Sequence, residues 1–346
     1  MSADPTVNGE LSSAWDAAAA VGMLFHEFTA AADGPDGQWR SGDRVRFGVG
    51  AGHPVGLPRF ESVNLSTGLP IQPDIRERSL GTRGFRCLYH PFRALRPGGE
   101  AGSDRPGCRF GCDDPDAPLS ILRRVVLSRL ALPNSNWQAC PNAAPFHPRG
   151  QLLWIPAARQ GPGRALPHHP QRLTGEVIDD LIALAIHPLS RGHVLFYNGV
   201  GAGASVDHLH VHAVVHQPRL AIAGAGLVPR GQEVVIPDYP ARGMSFDLNR
   251  TDECRRFSRR AMRLQSVAIP VNLVFCEHRA YLFARRTVPL ASTWLHVDRI
   301  AAIELAGSLI TTSPVVYSKL TEPELSSALR AVTLSPDEWP GRRATS

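Results

Sequence analysis

The chain has 346 residues, 43% of them hydrophobic, which is ordinary for a globular protein and enough for a substantial core in one large domain or two small ones. Net charge is +6, which favours anionic substrates, but Lys319 is the one lysine among 37 basic residues. That arginine bias has the look of codon usage, so charge alone gives no argument for a nucleic-acid partner. No run reaches the ~18 apolar residues of a membrane helix, and the Ala-rich stretch near residues 14–23 is short, interrupted by Asp16 and preceded by no basic region.

In chain order, the pattern predicts a helix near residues 10–31, then a Gly/Pro-rich, weakly periodic region to about residue 118. Leu119–Leu132 is apolar apart from Arg123 and Arg124 and a few polar positions, and Leu152–Pro156 reads as a short buried strand. Residues 174–186 have helical spacing with acids early and stop at His187-Pro188. Val194–Tyr197 and His208–His216 read as two strands joined through a glycine-rich turn, a hairpin behind a helix and so an α+β arrangement. Asn272–Phe275 and Tyr281–Ala284 form a second predicted hairpin around Glu277-His278-Arg279, and residues 298–312 and 321–331 look helical. Six cysteines, at 87, 108, 112, 140, 254 and 276, are scattered and form no framework, the usage of a reduced, cytoplasmic protein.

The chemistry concentrates in residues 197–212. Asp207-His208-Leu209-His210-Val211-His212 alternates histidine with apolar residues at a period of two, so on a strand the three imidazoles share one face. Upstream lies Asn198-Gly199-Val200-Gly201-Ala202-Gly203-Ala204-Ser205, a turn able to present backbone N–H groups to a phosphate. Three same-face histidines also suit a metal, or are an accident of a His-containing strand. Metal lacks a nearby glutamate, and the glycine turn favours phosphorus. Imidazole attacks a phosphoanhydride to give a covalent phosphoramidate, splitting one hard displacement into two easier ones. His210, flanked by His208 and His212, is the candidate nucleophile; Asn198, Gly201, Gly203 and Ser205 are candidates for placing phosphate.

His208-Leu209-His210-Val211-His212-Ala213-Val214 matches the histidine-triad signature of three histidines interleaved with apolar residues. Asn142-Ala143-Ala144-Pro145, Leu152–Pro156, Pro170-Gln171-Arg172-Leu173 and Phe196-Tyr197-Asn198 through Ser205 extend the likeness. Trp15–Phe25 and Val332-Thr333-Leu334-Ser335 extend it more loosely. The chain resembles the GDP-L-galactose and GDP-D-glucose phosphorylases of the galactose-1-phosphate uridylyltransferase-like group, within the histidine-triad (HIT-like) superfamily. The resemblance implies two HIT-like halves building one antiparallel sheet flanked by helices. Residues 119–220 would form the catalytic half and 221–346 the second half, with 1–118 an N-terminal helix and irregular segment of the same domain. It implies attack by His210 on the α-phosphorus of an NDP-sugar, with His208 in support and Asn142, Asn198, Ser205 and Gln151 near the nucleotide. The partners implied are a nucleotide-sugar or dinucleotide and inorganic phosphate or another acceptor, with no nucleic acid and no membrane. Relatives of this fold are often dimers, which leaves a homodimer open.

Two positions depart from the resembled pattern. The transferases and phosphorylases usually carry glutamine two residues after the nucleophile, where this chain has His212, the residue typical of the hydrolytic triad proteins. The strand before Leu152 usually begins with histidine; here Gln151 stands there, able to hydrogen-bond but not to act as an imidazolium. Nucleotidyl transfer is therefore weighed against hydrolysis of nucleotide anhydrides, dinucleoside polyphosphates or phosphoramidates, and against non-catalytic nucleotide binding. The chemistry requires no cofactor. Cys108-x-x-x-Cys112 fits the spacing of half a structural zinc site, with Cys87, Cys140 or His147 as partners, against the alternative of two buried thiols. Arg255, Arg256, Arg259, Arg260 and Arg263 form a basic helical stripe, read as a solvated face. His168-His169 reads as a surface loop, and His216 as a rim or core residue.

Overall fold

A computed structural model describes residues 25–29, 43–50, 59–64, 75–91, 126–142, 151–157, 168–215, 219–230, 233–286 and 300–340, with Arg40, Ser66, Thr67, Phe110, Cys112 and Phe146 between them. Strands β1 (Phe25–Thr29), β2 (Arg44–Gly50) and β3 (Arg59–Asn64) form a three-stranded antiparallel sheet. The helix expected over residues 10–31 is corrected at its end: 25–29 pair with β2, as suits a segment with two phenylalanines and a threonine. The remainder of that expectation lies outside the described residues.

Strands β4 (Arg76–Leu80) and β5 (Phe85–Tyr89) form a hairpin. The principal sheet is built from β6 (Ser128–Ala131), β7 (Asn136–Pro141), β8 (Gln151–Pro156), β9 (His193–Asn198) and β10 (Val211–Val215), with helix α1 (Gly175–Ile186) between β8 and β9. It continues through β11 (Val228–Arg230), β12 (Glu233–Val235), β13 (Met244–Asp247), β14 (Val271–Cys276) and β15 (Arg279–Ala284), with helix α2 (Thr251–Ser266) between β13 and β14. Its order is β11-β12-β13-β15-β14-β9-β10-β8-β7-β6, with every neighbour antiparallel. Three strands, a helix and a hairpin thus occur twice in the chain, and the two sets meet where β9 pairs with β14. This is the α+β architecture of a large antiparallel sheet flanked by helices.

Local sequence explains much of this. Thr174 caps α1 by accepting from the Val177 N–H, and the helix stops before Pro188, which cannot continue it. Strand β8 is buried along its whole length, as its unbroken apolar run Leu152-Leu153-Trp154-Ile155 requires. The expected helix over 298–312 is corrected: one turn, α3 (Ala302–Leu305), ends at Gly307 with φ 107, and β16 (Ser308–Thr311) follows in parallel with β5. Helices α4 (Pro314–Lys319) and α5 (Glu322–Val332) complete that side.

Alternation along the central strands separates two cores. Leu195, Tyr197, Val211 and Ala213 pack with Ile178 and Leu181 of α1 and Phe257 and Leu264 of α2 on one face. Val194, Phe196 and Val214 face the other way, against Phe85 of β5, Leu309 of β16 and Leu325 of α5. A smaller cluster on that second face holds Phe110, Cys112, Cys140, Leu153 and Ile155. Among the described residues no helix is long and apolar enough to cross a membrane, and Cys87, Cys112, Cys140, Cys254 and Cys276 form no disulfide with one another.

Candidate active site

The histidines lie between the two clusters of the second face. Strand β10 starts at Val211, so only His212 is inside it, and the predicted strand over 208–216 is corrected: His208 and His210 lead into β10 from the preceding bend. The ladder between β9 and β10 ends with His212 opposite Phe196. Beyond it Gln171 takes over. Its Oε1 accepts from the His210 N–H (2.8 Å), and its Nε2 donates to the carbonyls of Asn198 (2.8 Å) and His210 (3.2 Å). Its own backbone is held by Asp207 Oδ1, which accepts from the Gln171 N–H at 3.0 Å, and by the Tyr197 hydroxyl, which donates to its carbonyl at 3.0 Å. Burial, with the Asp207 carboxylate adding to it, pushes the Tyr197 phenol above its usual range, so it stays a neutral donor. One amide side chain thus splints the two strands where they part.

The hydrogen bonds fix the tautomers. A carbonyl can only accept, so His210 Nδ1, 2.7 Å from the His208 carbonyl, carries a proton and turns its lone pair to Nε2. His208 Nδ1 donates likewise to the Leu209 carbonyl at 3.0 Å. His212 is the reverse case. The Phe146 N–H donates to Gln151 Oε1 (3.2 Å), which orients the Gln151 amide with its NH₂ toward His212 Nδ1 (2.7 Å). That nitrogen must accept, so neutral His212 carries its proton on Nε2. Gln151 and His212, the two departures from the resembled pattern, are therefore one contact.

Aromatic packing sets the rings. His212 stacks on Phe196 at 4.7 Å with planes 11° apart, and its ring meets that of His210 edge-on at 4.9 Å. Phe110 lies 5.0 Å from the His208 ring and 5.8 Å from that of His210. His208 and His210 are 0% and 3% exposed, so charge developing there is poorly screened.

The other candidates fall into three groups. Asn198 is buried, and its Oδ1 accepts from Asn272 Nδ2 and from the Ala302 N–H, both at 2.9 Å. Asn272 Oδ1 in turn accepts from Arg285, whose guanidinium burial pulls down to about 10 against the opposing pull of Glu304. The glycine turn is compact: the Ala202 and Ala204 N–H groups donate to the Gly199 carbonyl, the Gly199 N–H donates to the Val271 carbonyl of β14, and Gly201 and Gly203 take φ of 74 and 93. Ser205 is half-buried in the bend that follows. Asn142 is buried beside β8, its N–H donating to the Gln151 carbonyl at 2.7 Å. A cavity of about 330 Å³ opens behind the turn, lined by Arg172, Tyr197, Val200 and Pro270 among others, but by none of the three histidines.

Cys112, His168 and His208 bring one ligand atom each within 4.8 Å of one another, a group able to hold a metal ion. A thiolate with two imidazoles suits zinc. His168 was legible only as an exposed loop histidine; it is exposed, yet its ring approaches His208 to 5.6 Å. The expected partners differ: Cys108 and His147 lie outside the described residues, as does His216. The arginine stripe on α2 belongs to the opposite side of the sheet. There Arg256 pairs with Asp252 and Glu253, and Arg260 with Glu233. Gln171 is marked in the sequence only as part of the Pro170–Leu173 likeness, His168 only as a loop histidine, and Phe110 by nothing beyond its place between Cys108 and Cys112.

No protein-family model matches the chain. It is distantly homologous to GDP-D-glucose phosphorylase 1 of Bos taurus, with 29% identity over 224 residues, 56% of this chain and 54% of that protein. The human protein of the same name is 30% identical over 137 residues, 38% of this chain and 30% of its own length. The chain thus matches about half the length of the first of these relatives and less of the second. In fold it is similar to the crystal structure of yeast Ap4A phosphorylase Apa2 in complex with Ap4A, with a TM-score of 0.50 and 15% identity over 76% of this chain and 89% of that one. The AMP complex of the same yeast protein gives a TM-score of 0.50 over 74% and 86%.

Proposed function

We propose that this distant homologue of the GDP-D-glucose phosphorylases is a nucleotidyltransferase that cleaves an NDP-sugar, with a GDP-hexose the first candidate, through a nucleotidyl group carried on His210. The observation that carries the reading is the bond from His210 Nδ1–H to the His208 carbonyl, which aims the lone pair of a buried imidazole through Nε2. That lone pair forms an N–P bond to the α-phosphorus as the P–O bond to the bridging oxygen breaks. Sugar 1-phosphate leaves with the bonding electrons. Inorganic phosphate then attacks the same phosphorus, the N–P pair returns to His210, and a nucleoside diphosphate departs.

Asn142, Asn198 and the Gly201–Ser205 turn are the candidates for placing the phosphates and ribose, and Gln151 acts through His212. Cys112, His168 and His208 would hold a structural zinc that ties two loops to the base of the nucleophile. The Ap4A and AMP bound by the yeast Ap4A phosphorylase put dinucleotides in the substrate panel. His212 supports the second reading, a hydrolase with water as acceptor.

Incubation with NDP-sugars and dinucleotides, with and without phosphate, separates the readings by mass spectrometry. Phosphate-dependent NDP and sugar 1-phosphate, with a nucleotidyl adduct on His210, is the expected result. NMP in plain buffer would mean hydrolysis. No adduct with any donor would sink the mechanism.

A further inference from the structure

We propose that Gln151 is a positioning residue that locks His212 into its Nε2–H tautomer, making it a fixed hydrogen-bond donor at the reacting phosphorus and selecting an anionic acceptor over water. The role rests on the nucleotidyl-transfer reading above; the tautomer does not.

Gln151 is 1% exposed and sits diagonally across the β8–β10 ladder from His212, whose direct partner is Leu153. Its amide cannot turn over freely, because the Phe146 N–H holds the oxygen end. Stacking on Phe196 fixes the plane of the imidazole, so rotation cannot exchange its two nitrogens at low cost. His212 therefore enters the reaction with its lone pair on Nδ1 already accepting from Gln151, and with an N–H at the other nitrogen.

The consequence concerns the second displacement. Water attacking the nucleotidyl-His210 must give up a proton, and a base beside it raises the rate by on the order of 10²–10⁴. His212 in this tautomer has no lone pair at Nε2 to serve as that base. Phosphate brings its own anionic oxygen and needs none. What it does need is a donor for the non-bridging oxygens as charge builds in the transition state, and the His212 Nε2–H is such a donor. The histidine thus does the work of a side-chain amide.

The test starts with the ligand-free wild-type protein, because it requires no substrate. Ring-nitrogen NMR correlations are expected to show His212 protonated at Nε2 and His210 at Nδ1; His212 protonated at Nδ1, or as imidazolium at neutral pH, would overturn the proposal. Gln151→Glu keeps an oxygen for the Phe146 N–H but leaves only an acceptor facing His212. The ring then carries its proton on Nδ1. In that variant the ratio of NMP to NDP from the nucleotidyl-enzyme should rise on the order of 10-fold or more, with Gln151→Ala rising less. A reversed tautomer with an unchanged product ratio overturns the role. Absence of any nucleotidyl-enzyme in the wild type overturns the transfer reading and the role with it, while the NMR spectrum still decides the tautomer.

Discussion

The two halves of the sheet are the same frame put to different use. Outward from the β9–β14 junction the strands run β9-β10-β8-β7-β6 on one side and β14-β15-β13-β12-β11 on the other. Phe196 and Val274 face each other at the junction, so register makes Tyr281, opposite Val274, the counterpart of His212, opposite Phe196. Arg279 then stands where His210 does, and Cys276 where Asn198 does. In the second half Cys276 and Arg279 are direct ladder partners across a two-residue turn, Glu277-His278. In the first half the strands part at that rung, residues 199–210 intervene, and Gln171 bridges the opening. A closed hairpin holds a sheet together; an opened one makes room for a nucleophile, a glycine turn and a loop. The chemistry lives in the departure from symmetry.

The largest effect should come from breaking that asymmetry at its centre. His210→Ala is expected to lower turnover on the order of 10⁴-fold or more and to abolish the covalent adduct, with nucleotide binding largely retained by calorimetry. Arg279→Ala, at the matching position of the closed half, should leave turnover near wild type. It loses the bond from Arg279 Nε to Ser245 Oγ and the guanidinium charge beside Cys276 and Tyr281. Equal losses in both variants would mean that the halves share the chemistry.

Gln171→Ala tests the splint. It strips the buried His210 N–H of its acceptor and the Asn198 and His210 carbonyls of their donor. A cost of about 1–3 kcal/mol per buried group left unsatisfied is expected in denaturant unfolding, with turnover down about 10–100-fold from a misplaced nucleophile. Full activity with lowered stability would reduce Gln171 to a purely structural tie.

These contrasts mark what a sequence makes legible. Elements whose signal is local came through: the capped α1 before Pro188, the uniformly apolar β8, and the β14–β15 hairpin. Segments decided by tertiary pairing did not. Residues 25–29 lie on a strand because β2 is beside them, and the stretch after Gly307 becomes β16 because β5 offers an open parallel edge. At the site, a period of two identified the three histidines, yet only His212 is in regular strand geometry. The tautomers, Nδ1–H at His208 and His210 and Nε2–H at His212, depend on Gln151, Phe146 and two backbone carbonyls, and no spacing rule encodes those contacts.

Cys276, where the first half has Asn198, carries a pH consequence. Burial, reinforced by Glu277, pushes its thiol up from 9.0 to about 12. The unfolded chain therefore ionises first. Stability from this group is complete below about pH 9 and falls as pH rises toward 12. Cys276→Ala should be less stable at neutral pH, from the lost packing, but should show a shallower alkaline decline in urea unfolding. An unchanged slope would place the decline elsewhere, with Cys87, pushed up to about 11 by burial, the next candidate.

The smallest effects distinguish the two connections themselves. Both need left-handed backbone: Gly201 and Gly203 supply it in the open half, whereas Glu277 and His278, at φ 50 and 61, supply it in the closed one. A Cβ at Gly203 would lie 2.9 Å from Ala301 Cβ, so Gly203→Ala meets both strain and a clash and should cost about 1–3 kcal/mol. His278→Gly relieves strain in a turn that two positive φ angles define, but loosens the unfolded chain. A net gain of about 0.5 kcal/mol is expected. Thermal unfolding reads both. If His278→Gly also loses stability, the exposed side chain is holding the turn through contacts that the symmetry argument omits. The closed hairpin would then be shaped by its side chains as much as the open one is by its glycines.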